Sequence, residues 1–252
     1  FSSWLCENTC VLFCCIWRDV RRFYRSPRSK CAYFKPDLLE NRHIRKTVRV
    51  CDLHSLCIIG INKAFHSIAK LGSNERENND LYAARLNHIA ISPQRWGYLF
   101  IPSAEGSYKK ALKLADKYKA DLLAGKAVYN CRTDDIYSAY NLILGETVLG
   151  YALGLLNNSQ DLPFYTLDNR IYEAQGVVLV VRDYLKAMYE LYPEIAGKGN
   201  EQNWAEAMRY MDLICSYDPL YITSSFNSGE LIISYLLFTQ NRLADIRDSL
   251  RI

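Results

Sequence analysis

The stretch Leu167–Tyr192 (LDNRIYEAQGVVLVVRDYLKAMYELY) constrains this chain more than any other. Its centre, Ala174–Val181, carries no charge, and a segment with no charged side must be covered by protein on most faces. Asp168 and Asn169 offer side-chain oxygens to the free N–H groups of a helix start, and Tyr192-Pro193 forbids continuation. Val177–Val181 is β-branched enough for a buried strand. A strand needs partners, however, and helical patterns flank this stretch on both sides. It is therefore expected to be the central helix of an all-α fold.

The neighbouring segments point the same way. From Pro102-Ser103 to Ala124, residues Tyr108, Ala111, Leu112, Ala115, Tyr118 and Leu122 form one stripe at helical spacing. Lysines occupy the other face, and Gly125 supplies the stop. Thr133-Asp134-Asp135 opens a helix predicted to run unbroken to Leu156, with acid at the positive end of its dipole. Within it, Gly150 and Gly154 are four apart, the spacing of close-packed membrane helices, whereas Tyr137, Tyr140, Asn141 and Glu146 argue against a clean span. Asn203-Trp204-Ala205-Glu206 reads as a capping-box start for a helix to Tyr217, and a last helix is predicted over Ser228–Leu250. Leu81–Asn87 reads as a short helix.

The front reads differently. Helical patterns are predicted over 3–24 and over 36–69, the second weakened by Gly60, and Gly72–Asp80 (GSNERENND) is a polar linker. The expected division is a cysteine-rich helical segment, 1–75, and a helical core domain, 76–252. Period-2 strands and internal repeats are absent. The predicted architecture is a multi-helix bundle of long antiparallel helices with irregular connecting loops.

The net charge of +4 over 252 residues gives no reason to expect nucleic acid. Nine cysteines, an odd number with Cys14 and Cys15 adjacent, make a poor disulfide framework and suggest a reducing compartment. The chain begins at Phe1 rather than Met. The apolar run Cys10–Trp17, followed by Arg18, Arg21, Arg22 and Arg25, is shorter than the roughly 20 residues of a bilayer span. It fits the truncated end of a span or signal segment.

Candidate chemistry is sparse. Cys51, His54 and Cys57 share one side of a helix and offer zinc three soft ligands, with Cys31 or His43 as a fourth. The competing reading is a half-buried helix with small apolar cysteines, so no cofactor is expected beyond this zinc option. Cys6, Cys10 and Cys14 align along a helix without matching a known ligation pattern. Phosphate loops and a nucleophile elbow are missing. Glu146 and Glu173 sit beside apolar helix centres, where burial would raise a carboxyl pKa; alternatively each is a boundary residue or bonds to a tyrosine or arginine. Asn227-Ser228-Gly229, ahead of the last helix, is a candidate anion site or simply a turn and cap.

Several short motifs carry a family resemblance over residues 81–252. They are Pro102-Ser103-Ala104-Glu105 with Tyr108, Ile171-Tyr172-Glu173-Ala174 with Gly176, Asn227-Ser228-Gly229, and Ala244-Asp245-Ile246-Arg247 with Leu250. This part of the chain resembles a family of Gram-negative bacterial proteins known only as a domain of unknown function and usually described as inner-membrane proteins. The resemblance implies a helical domain held at the inner membrane by a span upstream of Phe1. It brings no catalytic residue with it, and residues 1–75 depart from the family's pattern. The expected function is a non-enzymatic envelope domain that contacts other proteins. The alternative is a small-ligand-binding protein or hydrolase with a pocket between helices near Glu173, using Tyr172, Glu173, Asn227 and Ser228.

Overall fold

A computed structural model describes residues 76–89, 105–128, 133–157, 164–191, 193, 200–217 and 229–250, together with residues 60, 61, 63, 64, 66–68 and 70. Of this part 85% is helical and none is strand, so the chain is all-α. Seven bounded helices follow in order: α1 Asn79–Ile89, α2 Glu105–Leu123, α3 Thr133–Leu144, α4 Leu149–Leu156, α5 Phe164–Leu191, α6 Glu201–Cys215 and α7 Glu230–Ser249. Residues 60, 61, 63, 64 and 66–68 are helical as well.

Helices α3 to α7 close into a four-membered ring. The rod made by α3 and α4 packs on α5 and α7, and α6 packs on α5 and α7 from the other side. Side-chain pairs fix the directions. Between α5 and α6, Tyr189 stacks on Trp204 at 4.8 Å, Arg182 meets Asp212 at 3.2 Å, and Gln175 donates to the Ile214 carbonyl at 2.9 Å. Rising numbers on one helix meet falling numbers on the other, so the two are antiparallel. The same holds for α6 and α7, where Asn200 bonds Ser249, Glu206 pairs with Arg242 at 2.6 Å, and Tyr210 stacks on Tyr235 and Phe238. It also holds for α4 and α5, where Tyr151 bonds Glu173 and the Leu155 carbonyl accepts from Arg170. The result is an up-down-up-down bundle.

The expected central helix is the core of this ring. Leu167, Ile171, Ala174, Val177, Val178, Val181 and Leu185 of α5 are fully buried. They meet Tyr140, Ile143, Leu149 and Leu156 of the rod, Met211 and Ile214 of α6, and Leu236, Leu243 and Ile246 of α7 in one cluster. Full burial of each larger aliphatic side chain stabilises the fold by about 1.5–3 kcal/mol before entropy is counted. Ile61, Ala64 and Ile68 add a further layer to the same cluster. Gly60 lets that layer close down: a Cβ there would lie 1.9 Å from the Glu173 carbonyl oxygen. The glycine read as a weak point of a helix is its point of closest approach.

The α1–α2 hairpin is built separately. Its core is Ala84, Ala111, Leu112, Ala115 and Tyr118, none of which belongs to the bundle cluster. The predicted stripe of α2 thus faces α1. At its end, Gly125 takes φ +68, its N–H bonds Leu122, and the Lys126 N–H bonds Asp121, a Schellman stop. Beyond it, Asn78 grips Val128 twice, donating to the carbonyl at 2.8 Å and accepting from the N–H at 3.0 Å. The Tyr118 hydroxyl also donates to the Val128 carbonyl.

Three helix boundaries differ from the sequence reading. The predicted helix from Thr133 to Leu156 is broken at Gly145–Val148, where the Gly150 N–H reaches back five residues to the Gly145 carbonyl at 3.0 Å. A Cβ at Gly150 would lie 2.9 Å from that oxygen, whereas Gly154 faces open space. Gly150 therefore serves a local break, and the pair forms no helix–helix seam among the described residues. Helix α5 starts at Phe164, which places Asp168 inside it as a buried residue and not as a cap. Helix α6 starts at Glu201 with Asn200 ahead of it, and the supposed capping residues Asn203 and Glu206 both bond Arg242 of α7 instead. By length and composition the rod Asp134–Leu156 is apolar enough to cross a membrane. Here it is packed into the bundle.

Candidate functional site

Glu173 stands where the helical residues around Gly60 and Lys63 meet α4 and α5. The Tyr151 hydroxyl donates to Glu173 Oε1, and Lys63 Nζ lies 3.2 Å from the centroid of the Tyr151 ring. Spacing along each helix produces this meeting. Lys63 is one turn beyond Gly60, which rests on the Glu173 backbone, and Tyr151 follows Gly150, where α4 restarts after the break. Four residues further along α4, the Leu155 carbonyl accepts from Arg170 Nη1 at 3.2 Å. Ser67 Oγ donates to the Thr147 carbonyl, exposed by the break, at 3.5 Å.

The electrostatics are those of a half-buried, nearly neutral group. Burial pushes the Tyr151 phenol well above its ordinary range, and the hydrogen bond and charge of Glu173 push it further; Arg170 opposes them. The phenol is therefore a firm hydrogen-bond donor at neutral pH and does not act as a base there. Burial lowers the Lys63 ammonium, against the pull of Glu173. An ammonium over a tyrosine face is attracted by the ring quadrupole, so the same ring serves Lys63 through its face and Glu173 through its edge. His66 is lowered by burial and by Lys70, and its Nδ1 has no hydrogen-bond partner.

The structure places the sequence candidates unevenly. The tyrosine that bonds Glu173 is Tyr151, while Arg182, further along α5, pairs with Asp183 and Asp212. Tyr172 is half-buried against the bundle cluster. Glu146 lies exposed in the break and not beside a buried helix centre as expected. Asn227 and Ser228 lie outside the described residues, as do Cys51, His54 and Cys57. The next residue, Gly229, takes φ +83, and a Cβ there would touch Ile171 at 3.4 Å. Among the described residues no group of His, Cys, Asp and Glu side chains is arranged to hold a metal ion.

Lys63 and Tyr151 were not among the sequence candidates. Position 63 is 88 residues from position 151, and no motif links them; only Gly60, out of place in a helix pattern, marks the close approach. Comparison with known proteins adds no relative: no family model, curated protein or solved structure matches the chain.

Proposed function

We propose that this chain is a non-enzymatic helical module of the bacterial envelope that works by contacting other proteins. The observation that carries the reading is the outer face of α7. Leu231, Leu237 and Phe238 are 52%, 43% and 48% exposed on one helix, and Phe238 and Tyr235 extend the patch onto Tyr210 of α6. Neighbouring large apolar groups in water mark interaction surfaces, and aromatic anchors dominate such interfaces. The envelope placement is supported by the resemblance carried by Ile171-Tyr172-Glu173-Ala174 and its companion motifs. A photo-crosslinking residue at position 238 should capture one reproducible partner from intact cells, while the same residue at position 113 captures none. Recovery of the protein free in the cytosol, with no crosslink at 238, sinks the reading.

A second reading is favoured by one specific contact. The Lys63–Tyr151–Glu173 group is a half-buried set of a cation, a donor and an acceptor, the composition of a small polar ligand site. Thermal-shift screening of the parent and Glu173→Gln tests it. A ligand that stabilises the parent and not the variant supports binding there, and a library that stabilises neither form ends the idea.

A further inference from the structure

The net charge of the chain conceals a separation. Helices α1 and α2 carry six cationic side chains (Arg85, Lys109, Lys110, Lys113, Lys117 and Lys119) against four carboxylates. Helices α3 to α7 carry six cations against twelve carboxylates. Charges farther apart than about 8 Å are largely screened from one another at physiological salt, so the local balance of each region, and not the total, is what a partner meets.

Half of the hairpin's cations, Lys110, Lys113 and Lys117, share one face. Among the described side chains of α2, positions 110, 113, 116, 117, 120 and 123 are exposed, so they share a broad side of the helix. That side presents Lys110, Lys113 and Lys117 with Asp116 among them, then Leu123 at 53% exposure, with Lys126 and Val128 exposed just past the Gly125 stop. Lys117 pairs with Asp80 at 2.8 Å, a surface contact that competes weakly with other anions. Lys110 and Lys113 have no carboxylate partner among the described residues.

We infer that the α1–α2 hairpin rests on an anionic bilayer surface, its lysines among lipid phosphates and its exposed apolar residues in the headgroup boundary. Lysine ammoniums near such a surface each contribute through the negative surface potential, and the exposed Leu123 and Val128, at and just past the end of the same helix, give the apolar contact that a purely electrostatic anion site lacks. Nucleic acid is the less fitting polyanion: α2 offers lysines and no arginines for bidentate phosphate contacts. The inference rests on the envelope placement and adds the surface that touches the lipid.

The test uses the full chain and vesicles of phosphatidylcholine with and without phosphatidylglycerol. The parent should bind the anionic vesicles and lose them at high salt. The combined substitutions Lys110→Gln, Lys113→Gln and Lys117→Gln, all on an exposed face, should keep the thermal midpoint and weaken binding by about fivefold per lysine. An environment-sensitive dye at position 123 should shift to the blue on anionic vesicles, and a dye at position 237 should not. Unchanged binding by the triple variant, equal binding to both vesicle types, or displacement of the vesicles by a short DNA duplex overturns the inference. Crosslinking at position 238 is read separately, so loss of the lipid contact and loss of the protein contact are told apart.

Discussion

The α1–α2 hairpin and the α3–α7 bundle are both antiparallel packings of amphipathic helices, yet different sizes of residue hold them together. The hairpin interface is mostly alanine, so its two backbones approach closely but remove little apolar surface from water. It relies on polar staples at its open end, Asn78 on Val128 and Tyr118 on Val128. The bundle buries leucine, isoleucine, valine and methionine around α5. The hairpin should therefore open locally, well below the free energy that unfolds the bundle.

The largest test of that contrast is Leu236→Ala. Leu236 is fully buried in the bundle cluster, so the substitution should cost about 2–5 kcal/mol in chemical denaturation. Exchange protection of α1 should hardly change; a parallel loss there would make the two regions one unit. Next comes Gly60→Ala, whose Cβ has no room above the Glu173 carbonyl. It should cost about 1–3 kcal/mol and raise hydrogen exchange at residues 60–68 before it raises exchange in α6. Asn78→Ala removes both bonds to Val128 and should cost the hairpin about 1–2 kcal/mol. Proteolysis within α1 should accelerate while the bundle's denaturation midpoint stays put.

The smallest effect has the opposite sign. Tyr140 is fully buried in α3, and its hydroxyl has no hydrogen-bond partner. Tyr140→Phe deletes an unsatisfied polar atom and should leave stability unchanged or raise it by about 1 kcal/mol or less. Burial, with a smaller push from Tyr184, raises the Tyr140 phenol far above its ordinary range. The unfolded phenol ionises near about pH 10 while the folded one does not. Its contribution is thus fully present below about pH 10 and lost as pH rises further. Stability measured above that pH should fall less steeply in the variant; an unchanged slope would mean that Tyr140 reaches solvent.

What the sequence disclosed follows the range of each interaction. The α2 stripe and its Gly125 stop depend on neighbours three to five residues away, and both were visible. So was the burial of Ala174–Val181, since a charge-free helix has nowhere else to go. The break at Gly145–Val148 is not legible, because the four-residue spacing of Gly150 and Gly154 says nothing of the Gly145 carbonyl that Gly150 meets. The start of α6 is not legible either, because Asn203 and Glu206 suit a cap and equally suit Arg242, a residue of another helix. Of the candidate site, Glu173 was legible from its apolar surroundings, whereas Tyr151 and Lys63 reach it only through tertiary packing.

Gln175 carries a consequence for how this chain can change. From the middle of α5 its buried amide donates to the carbonyls of Ile214 and Tyr217, so one helix measures where another ends. At the far side, the stack of Tyr189 on Trp204 pins the first turn of α6. Between those two marks the residue count is fixed. One inserted residue would advance the end of α6 by about 1.5 Å and turn it by about 100°, taking both carbonyls away from the amide. Insertions and deletions are therefore tolerated in the connections of this bundle and barred from Trp204 to Ile214, a rule of length that holds whichever side chains line the helix.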